Sequence, residues 1–467
     1  MTHKKILSKM KSMFARLLQR PEYVYLSIAL VALVGFVFIT PPFQGPDEEL
    51  HYLKVQYISQ GYFVPSDEAS VPVSINDVTQ TTFYKDDIRG KTNQTYELAR
   101  TIEALKVPLN SSETYKPVML TYNSLLYLPA VPGVVVSNAL NLSPLVSMYV
   151  ARLSLGLASI AMFFFAIRFI PHKKYLLVAV GLIPTVLFQQ AMITADSASY
   201  AVLALFIAYI LYLREKREIT AKQWVLTGVL SLGVIFAKPL VFLFLPLVLL
   251  LVKKRHAWRW LIGIVVACAV GLLGWNSING ARSGSVGAVA VPSAVNNTEQ
   301  LNMLISDPGR GLRVGWNSYM TSYGDEEVRG VIGIFGAADT IYPLWMTFLY
   351  VIMLAIAAFV ILDTKKSKKI DWRWKVFAVL LCLAYFGAVN LALYLGYTPV
   401  NFDIVYGVQG RYFIPIMIIL AAMIFSGGVK LSKSDTVKTR IGIILSIATL
   451  VILALFITYQ RYYLYTP

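Results

Sequence analysis

Charged residues are scarce in this chain of 467 residues, because Asp, Glu, Lys and Arg together make up only 14% of it. Soluble domains carry about 25%. Hydrophobic residues account for 57%, and they are arranged in long blocks that no globular core can absorb. A water-soluble enzyme of this size is therefore excluded, and the composition indicates a membrane protein.

Cysteine and histidine are also rare. The two cysteines, Cys268 and Cys382, lie inside apolar runs, which argues against a disulfide framework and a cysteine metal site. The four histidines are too far apart in the sequence for a zinc motif of known spacing. We predict no metal site and no other cofactor, and leave open whether acidic residues of the first loop bind a divalent ion.

Apolar runs that can cross a bilayer are the main feature present. A hydrocarbon core about 30 Å thick requires about 20 apolar residues in a helix. The runs predict an all-α polytopic membrane protein that forms one domain over residues 1–467, with about eleven spans. These are Tyr23 to Thr40, Val146 to Ile170, Tyr175 to Ala191, Ser197 to Leu213, Gln223 to Ala237, Leu240 to Val252, Trp260 to Ile278, Tyr342 to Leu362, Val376 to Leu395, Tyr412 to Gly428 and Ile441 to Gln460.

Basic residues are concentrated in alternate loops between these spans, which hold 27 of the 42 Lys and Arg. The positive-inside rule makes these loops and the N-terminus cytoplasmic, so the net charge of +17 requires no nucleic acid. We predict a multi-pass protein of the bacterial cytoplasmic membrane. Its two long outer loops, 41–117 and 279–341, predict an extracytoplasmic active site, and the first loop is expected to contain short interfacial helices.

One apolar run, residues 118–140, is not counted as a span. It contains Asn123, Pro129, Pro132 and Asn138, and a crossing there would place most of the basic loops outside. We therefore predict an interfacial helix in the outer leaflet.

An acidic cluster follows the first span directly, in the stretch PPFQGPDEELHY. Asp47, Glu48 and Glu49 occupy the predicted first turn of a helix, and His51 lies on the same face as Asp47 because it follows four residues later. Acids at a helix start are favoured by the helix dipole alone. Anionic lipid nearby would repel them, however, so we favour a base or a ligand.

Three cations are predicted near the outer membrane surface, namely Arg152, Lys238 and Arg411. Cations at membrane depth are costly and usually have partners, although each of these side chains has enough length to snorkel. Together they are expected to bind a phosphate at headgroup level.

Three further residues are candidates for the same site. Arg310 and Arg313 of the second loop are expected to close over it, and Asp196 either caps a helix or reaches the site.

These residue types fit one reaction. In a sugar joined through phosphate to an isoprenoid lipid, the phosphate lies at the membrane surface. A carboxylate takes the proton of an acceptor hydroxyl as its oxygen attacks the anomeric carbon. The cations stabilise the phosphate that leaves.

The stretches PPFQGPDEELHY, GIFGAADTIYP and QGRYFIP resemble signatures of a large bacterial family of predicted membrane proteins of unknown function, and the whole arrangement resembles the GT-C superfamily of membrane glycosyltransferases. The resemblance implies an inverting glycosyltransferase that uses a polyprenyl-phosphate-linked sugar. It implies Asp47 as the catalytic base with Glu48 in support, near Glu49 and His51. The expected partners are this donor, a cell-surface polysaccharide or glycolipid acceptor, and membrane lipid.

Two departures from the family pattern concern substrate contacts. Ala337 stands where the resemblance leads us to expect an aromatic residue, and Lys116-Pro117-Val118 replaces a Pro-Pro-Leu motif.

Other functions fit part of the sequence. A polymerase or ligase of lipid-linked saccharides uses the same lipid phosphate. A flippase or transporter is expected to carry charges near the membrane midplane. A noncatalytic assembly partner is the remaining alternative. The sugar, the acceptor, the isoprenoid length and the oligomeric state are not predicted.

Overall fold

The computed structural model describes residues 19–82, 95–109, 113–117, 119–283, 294–320, 322–336, 338–363, 368–425 and 427–464, apart from the side chains of residues 280–283 and 322–326. Ala337 and Val118, two positions of the departures above, lie outside the described residues, as do the side chains of Asp325 and Glu326.

The described part of the chain is predominantly helical. Its α-helices are α1 (Pro21–Ile39), α2 (Glu48–Ser59), α3 (Val73–Thr82), α4 (Leu98–Ala104), α5 (Val131–Ala139), α6 (Pro144–Phe169), α7 (Lys174–Gly181), α8 (Pro184–Ala191), α9 (Ala195–Glu215), α10 (Ala221–Ile235), α11 (Ala257–Ser283), α12 (Asn297–Ser306), α13 (Pro308–Met320), α14 (Ser322–Gly333), α15 (Leu344–Phe359), α16 (Trp372–Gly396), α17 (Ile414–Met423) and α18 (Lys433–Tyr463). Three further segments are 3₁₀ helices: Ser124–Ala130, Val241–Leu251 and Gly410–Phe413.

Helix α9 lies at the centre of the bundle. It packs against α6, α10, α17 and the 3₁₀ segment Val241–Leu251. Within α9, 83% of the apolar window is buried by other protein segments, against 17% in α11, so α11 lies at the periphery. The side chain of Thr194 fixes the start of α9, since it accepts a hydrogen bond from the backbone N–H of Ser197.

Six helices are long and apolar enough to cross a membrane, and a seventh span is present if α7 and α8 count as one segment bent by 58°. The prediction of eleven spans is therefore not confirmed. Four predicted spans correspond to α10, Val241–Leu251, α15 and Gly410–Met423, which fall short of the required length. The 15 residues of α10 span about 22 Å, less than the thickness of the hydrocarbon core. All-α polytopic architecture is confirmed.

The described residues of the first long loop form three helices, α2, α3 and α4, and a short antiparallel pairing of β1 (Val71–Pro72) with β2 (Thr114–Tyr115). The run predicted to lie in the outer leaflet consists of the 3₁₀ helix Ser124–Ala130 followed by α5. Both pack against α2 and α6. The structure therefore places this run beside the start of the first loop.

A hairpin in the GIFGAADTIYP stretch is fastened to the last helix. Strand β3 (Ile334–Phe335) pairs antiparallel with β4 (Thr340–Ile341). Asp339, which precedes β4, forms a buried ion pair with Arg461 of α18 at 2.8 Å. This signature therefore contributes an attachment between the second loop and α18.

The predicted basic loops meet at one end of the bundle. Arg214 donates to the carbonyl of Lys369 at 2.7 Å, and Lys254 donates to the carbonyl of Arg214 at 3.0 Å. Arg440 donates through Nε to the carbonyl of Leu362 at 2.7 Å. The candidate site described next lies at the opposite ends of the same helices.

Candidate functional site

Asp196 is the centre of a charged cluster, which we name the Asp196 cluster and which also contains Lys238 and Arg411. One carboxylate oxygen of Asp196 accepts from the Lys238 ammonium at 2.8 Å, and the other lies 3.3 Å from Nε of Arg411. The Asp196 side chain is 5% exposed, against 11% for Arg411 and 20% for Lys238. The two cations are thus nearer to solvent than the acid that holds them.

The sequence allows Asp196 either to cap a helix or to reach the site, and the structure distinguishes these two roles. Thr194 caps α9, and Asp196 follows in the first turn, where the helix dipole favours a carboxylate. Its side chain reaches the two cations. Lys238 is fixed on the other side because its backbone N–H donates to the hydroxyl of Ser199 at 2.8 Å.

The aromatic ring of Tyr412 supports both cations. The Lys238 ammonium lies 4.2 Å from the ring centre, and the Arg411 guanidinium carbon lies 5.4 Å from it. Such contacts stabilise a cation by about 0.5–2 kcal/mol. Two hydrogen bonds to the backbone hold Arg411 and Tyr412 in place. The hydroxyl of Tyr200 donates to the carbonyl of Arg411 at 2.7 Å, and the hydroxyl of Tyr385 donates to the carbonyl of Tyr412 at 3.1 Å.

Gly410 allows this segment to touch α14 directly. A Cβ atom at Gly410 would collide with backbone atoms of Glu327, Gly330 and Val331. The two main chains therefore pack against each other with no side chain between them, which places the second loop beside Arg411.

His51 lies beside the Asp196 cluster. Its Nδ1 shares a hydrogen bond of 2.6 Å with the hydroxyl of Tyr127, and its ring stacks on Tyr122 with centroids 5.6 Å apart. Burial lowers the pKa of His51 to about 4, although the charges of Asp47 and Asp196 act in the opposite direction. The imidazole is therefore neutral at pH 7 and does not add to the cationic charge of the site.

Asp47 is the N-cap residue of α2 and has a left-handed backbone, with φ of 51°. Aspartate tolerates this conformation better than most residues do. Its side chain is exposed. Asp47, Asp196, Lys238 and Arg411 all act electrostatically on His51, which therefore lies between the start of α2 and the Asp196 cluster.

The structure contradicts the roles predicted for Glu48, as support for the catalytic base, and for Arg152, as a phosphate ligand. Arg152 donates through Nε and Nη2 to the two oxygens of Glu48, at 2.7 and 2.6 Å. Its remaining N–H groups go to the carbonyls of Val37, Thr40 and Pro41. Both side chains are completely buried. Arg152 therefore has no donor for a phosphate, and Glu48 cannot contact a substrate.

Glu48 has a structural role instead. Its carboxylate also accepts from the backbone N–H groups of Gly45 at 3.1 Å and Ile193 at 3.0 Å. The pair joins the end of α1 and the start of α2 to α6 and to the turn before α9. Glu49, in the same first turn, is half-buried.

The structure also contradicts the prediction that Arg310 and Arg313 close over the site. Arg310 donates to the hydroxyl of Tyr394 and to the side-chain oxygen of Asn401, both at 3.0 Å. Arg313 forms an ion pair with Asp307 on the surface. Both side chains thus bind groups of the second loop and of the end of α16, rather than the Asp196 cluster.

Glu327 of the second loop is a buried acid that the sequence analysis did not single out as a site residue. The side chain is buried, and burial raises its pKa to about 7. Among the described residues, no hydrogen-bond partner is recorded for its Oε2. Three tyrosines were also missed, namely Tyr122, Tyr127 and Tyr412. Of these, only Tyr412 has a sequence signal, because it follows Arg411 in QGRYFIP.

The charges of the Asp196 cluster sum to +1, from two cations and one carboxylate. A phosphodiester carries one negative charge, so its charge complements that of the cluster. Within the described ranges, no three His, Cys, Asp or Glu side chains come together in a way that could hold a metal ion. The arrangement therefore combines a cluster of net charge +1 with an exposed carboxylate and a neutral imidazole.

Comparison with known proteins identifies the family. No curated protein and no solved structure matches the chain. A family model described as a predicted membrane protein, DUF2142, matches residues 30–420 and so covers most of the chain, including Asp47, Asp196, Lys238 and Arg411. The protein is thus a multi-pass membrane protein that belongs to the DUF2142 family.

Proposed function

We propose that the protein is a glycosyltransferase of GT-C type that transfers a sugar from a polyprenyl-phosphate-linked donor to a polysaccharide or glycolipid on the outer face of the membrane. The observation that carries this proposal is that Asp47 and all three members of the Asp196 cluster lie close enough to His51 to act on it electrostatically. Asp47 comes from the first loop, and Arg411 comes from a motif more than 360 residues later.

The reaction is a single displacement. The oxygen of the acceptor hydroxyl bonds to the anomeric carbon as the bond from that carbon to the phosphate oxygen breaks. Asp47 takes the hydroxyl proton, and the electron pair goes to the phosphate, whose charge changes from −1 to −2. Attack from the face opposite the leaving group inverts the anomeric centre.

Lys238 and Arg411 stabilise the phosphate as its charge grows. Their contact with Asp196 fixes their positions before the donor binds, which avoids reorganisation during the reaction. Lys238 uses one of its three N–H groups for Asp196 and has two more for phosphate oxygens. His51 follows Asp47 by four positions, and its neutral ring can either donate a hydrogen bond to a sugar hydroxyl or accept one from it.

The distribution of charge favours this function over a flippase or transporter. Those proteins are expected to carry ionisable groups near the midplane. In the described ranges, the buried ion pairs Glu48–Arg152, Asp196–Lys238 and Asp339–Arg461 lie toward the end of the bundle that holds Asp47. The arrangement supports chemistry at a membrane surface.

The test is the sugar composition of the surface glycans in a deletion strain complemented with variants. We expect deletion to remove one sugar and the wild-type gene to restore it. Asp47→Asn is expected to lower transfer by 10²-fold or more, because loss of a general base typically costs 10²–10⁴-fold. Asp67→Asn is the matched control, since Asp67 is an exposed acid of the same loop.

Membrane abundance of each variant is measured in parallel by immunoblotting. Full restoration of the missing sugar by Asp47→Asn, at normal abundance, would contradict the role of Asp47 as the base.

A further inference from the structure

The loop between α16 and the Gly410–Phe413 helix presents three aromatic rings to solvent. Tyr397, Phe402 and Tyr406 are 48%, 45% and 51% exposed. The rings of Tyr397 and Tyr406 are nearly parallel, with an angle of 13° between their planes and centroids 6.1 Å apart. We name these three side chains the aromatic surface.

The backbone of the loop is shaped to hold these rings. Gly407 has a positive φ of 81°, and a Cβ atom there would collide with the ring of Tyr397. The backbone N–H of Tyr406 donates to the buried hydroxyl of Thr398 at 2.9 Å. The ring of Tyr397 therefore packs directly against the backbone of Gly407, and the backbone of Tyr406 is fixed by its hydrogen bond to Thr398.

The second loop braces this segment further. The side chain of Gln300, fully buried, donates to the carbonyl of Tyr394 at 3.2 Å and accepts from the backbone N–H of Asn401 at 3.2 Å. The backbone N–H of Val405 donates to the hydroxyl of Ser318 at 2.8 Å. A surface that is ordered before binding loses less entropy when a ligand arrives.

We propose that the aromatic surface binds the saccharide part of the acceptor. Flat aromatic faces cover the C–H faces of sugar rings, and tyrosine hydroxyls bond to sugar hydroxyls at little entropic cost. Asp403 lies between Phe402 and Tyr406 in the sequence, and its carboxylate is 3.8 Å from Arg310 and 79% exposed, so it keeps acceptor sites for sugar hydroxyls. The inference rests on the proposed function, for which it identifies the acceptor side of the site.

The position of the loop suits this role. Arg411 follows Tyr406 by five positions, so their Cα atoms are at most about 18 Å apart. An oligosaccharide on the aromatic surface can therefore extend to the Asp196 cluster.

Membrane lipid is the competing occupant, and two observations argue against it. Helix α13 has its own exposed apolar stripe, formed by Leu312, Trp316 and Met320 at intervals of four residues. This stripe lies on the face opposite Val314 and Ser318, which pack against the loop. The bilayer thus has a separate contact surface. Asp403, which follows Phe402 in the sequence, and its partner Arg310, 3.8 Å away, also place two charges at this loop, which is costly against lipid tails.

The test uses the full chain with Asp47→Asn in nanodiscs, and its probe is the surface polysaccharide purified from the deletion strain. Binding is measured by calorimetry without donor. We expect the double variant Tyr397→Ala with Tyr406→Ala to raise the Kd at least tenfold. The corresponding Phe pair, which keeps the rings, is expected to stay within about threefold, and the matched control Trp316→Ala is expected to bind normally.

Unchanged binding by the Ala pair, equal loss in Trp316→Ala, or no binding by the parent chain would each overturn the proposal. Lipid contact is tested by bimane attached at Tyr406→Cys in nanodiscs of brominated phosphatidylglycerol. Quenching as strong as at Trp316→Cys would make the rings a membrane anchor and also overturn it. Since binding is measured without transfer, normal transfer by Asp47→Asn would reject the proposed base and leave this result standing.

Discussion

Arg152 and Glu48 form a two-bond ion pair at 2.7 and 2.6 Å, and neither side chain is exposed to solvent. Arg152 also binds carbonyls at the end of α1. The acidic motif therefore supplies one exposed carboxylate, Asp47, and one buried carboxylate that holds the surrounding helices together.

Replacement of Arg152 by Met is expected to destabilise the protein by about 3–5 kcal/mol, because Glu48 is left as an unpaired buried charge. The measurement is the melting temperature of the detergent-solubilised protein by size-exclusion chromatography with fluorescence detection. Arg168→Met is the control, because Arg168 is 54% exposed and lies 3.9 Å from Glu22. That change is expected to cost at most about 1 kcal/mol. If Arg152→Met melted normally but lost donor binding, Arg152 would be a phosphate ligand after all.

Replacement of Lys238 by Met is expected to weaken binding of a polyprenyl phosphate at least tenfold, because the anion loses one of two cations. Binding is measured in nanodiscs. Lys222→Met, which removes an exposed lysine, should leave the affinity unchanged.

Replacement of Asp196 by Asn leaves two cations close together without their carboxylate, so lower abundance is expected. Adding Lys238→Met to Asp196→Asn should restore abundance without restoring affinity. Normal affinity in Lys238→Met would remove this residue from the anion site.

The lowered pKa of His51, about 4, gives a pH dependence with a definite sign. Between pH 6.5 and 4, the unfolded chain binds a proton at His51 that the folded chain does not bind. This residue's contribution to stability is therefore present above pH 6.5 and is lost as the pH falls toward 4. His51→Gln is expected to reduce the loss of thermal stability between pH 7 and 5.

Nitrogen NMR of labelled histidine checks the same point directly, since it should show a neutral imidazole at pH 6. A His51 resonance that titrates with a midpoint between 6 and 7 would contradict the burial argument.

Sidedness is tested with single cysteines and a membrane-impermeant thiol reagent in intact cells. The native Cys268 and Cys382 are buried, so they give little background. Glu68→Cys in the first loop should react from outside, and Arg217→Cys in a basic loop should react only after lysis. The reverse pattern would place Asp47 and the Asp196 cluster in the cytoplasm and exclude an acceptor on the cell surface.

Hydropathy predicted the long helices well, because a span such as α1 or α9 is a continuous apolar run. It overcounted the spans because apolar composition does not report helix length. Pro184 begins a new helix after a 58° bend, and Pro246 lies inside a 3₁₀ segment, so each interrupts a run that reads as continuous.

Part of the site was predictable from loop position alone. Asp47, Lys238 and Arg411 were predicted to share one face, and in the structure all three act electrostatically on His51. The pairing of Arg152 with Glu48 was not predictable, because it depends on how α6 packs against the end of α1. The position of Tyr122 depends in the same way on tertiary packing.

The bare contact between Gly410 and the backbone of α14 has a mechanical consequence. A side chain at position 410 would force α14 and the Gly410–Phe413 helix apart, because its Cβ would overlap backbone atoms of Glu327, Gly330 and Val331. Since Arg411 follows Gly410 directly, that displacement would also shift the guanidinium relative to Asp196.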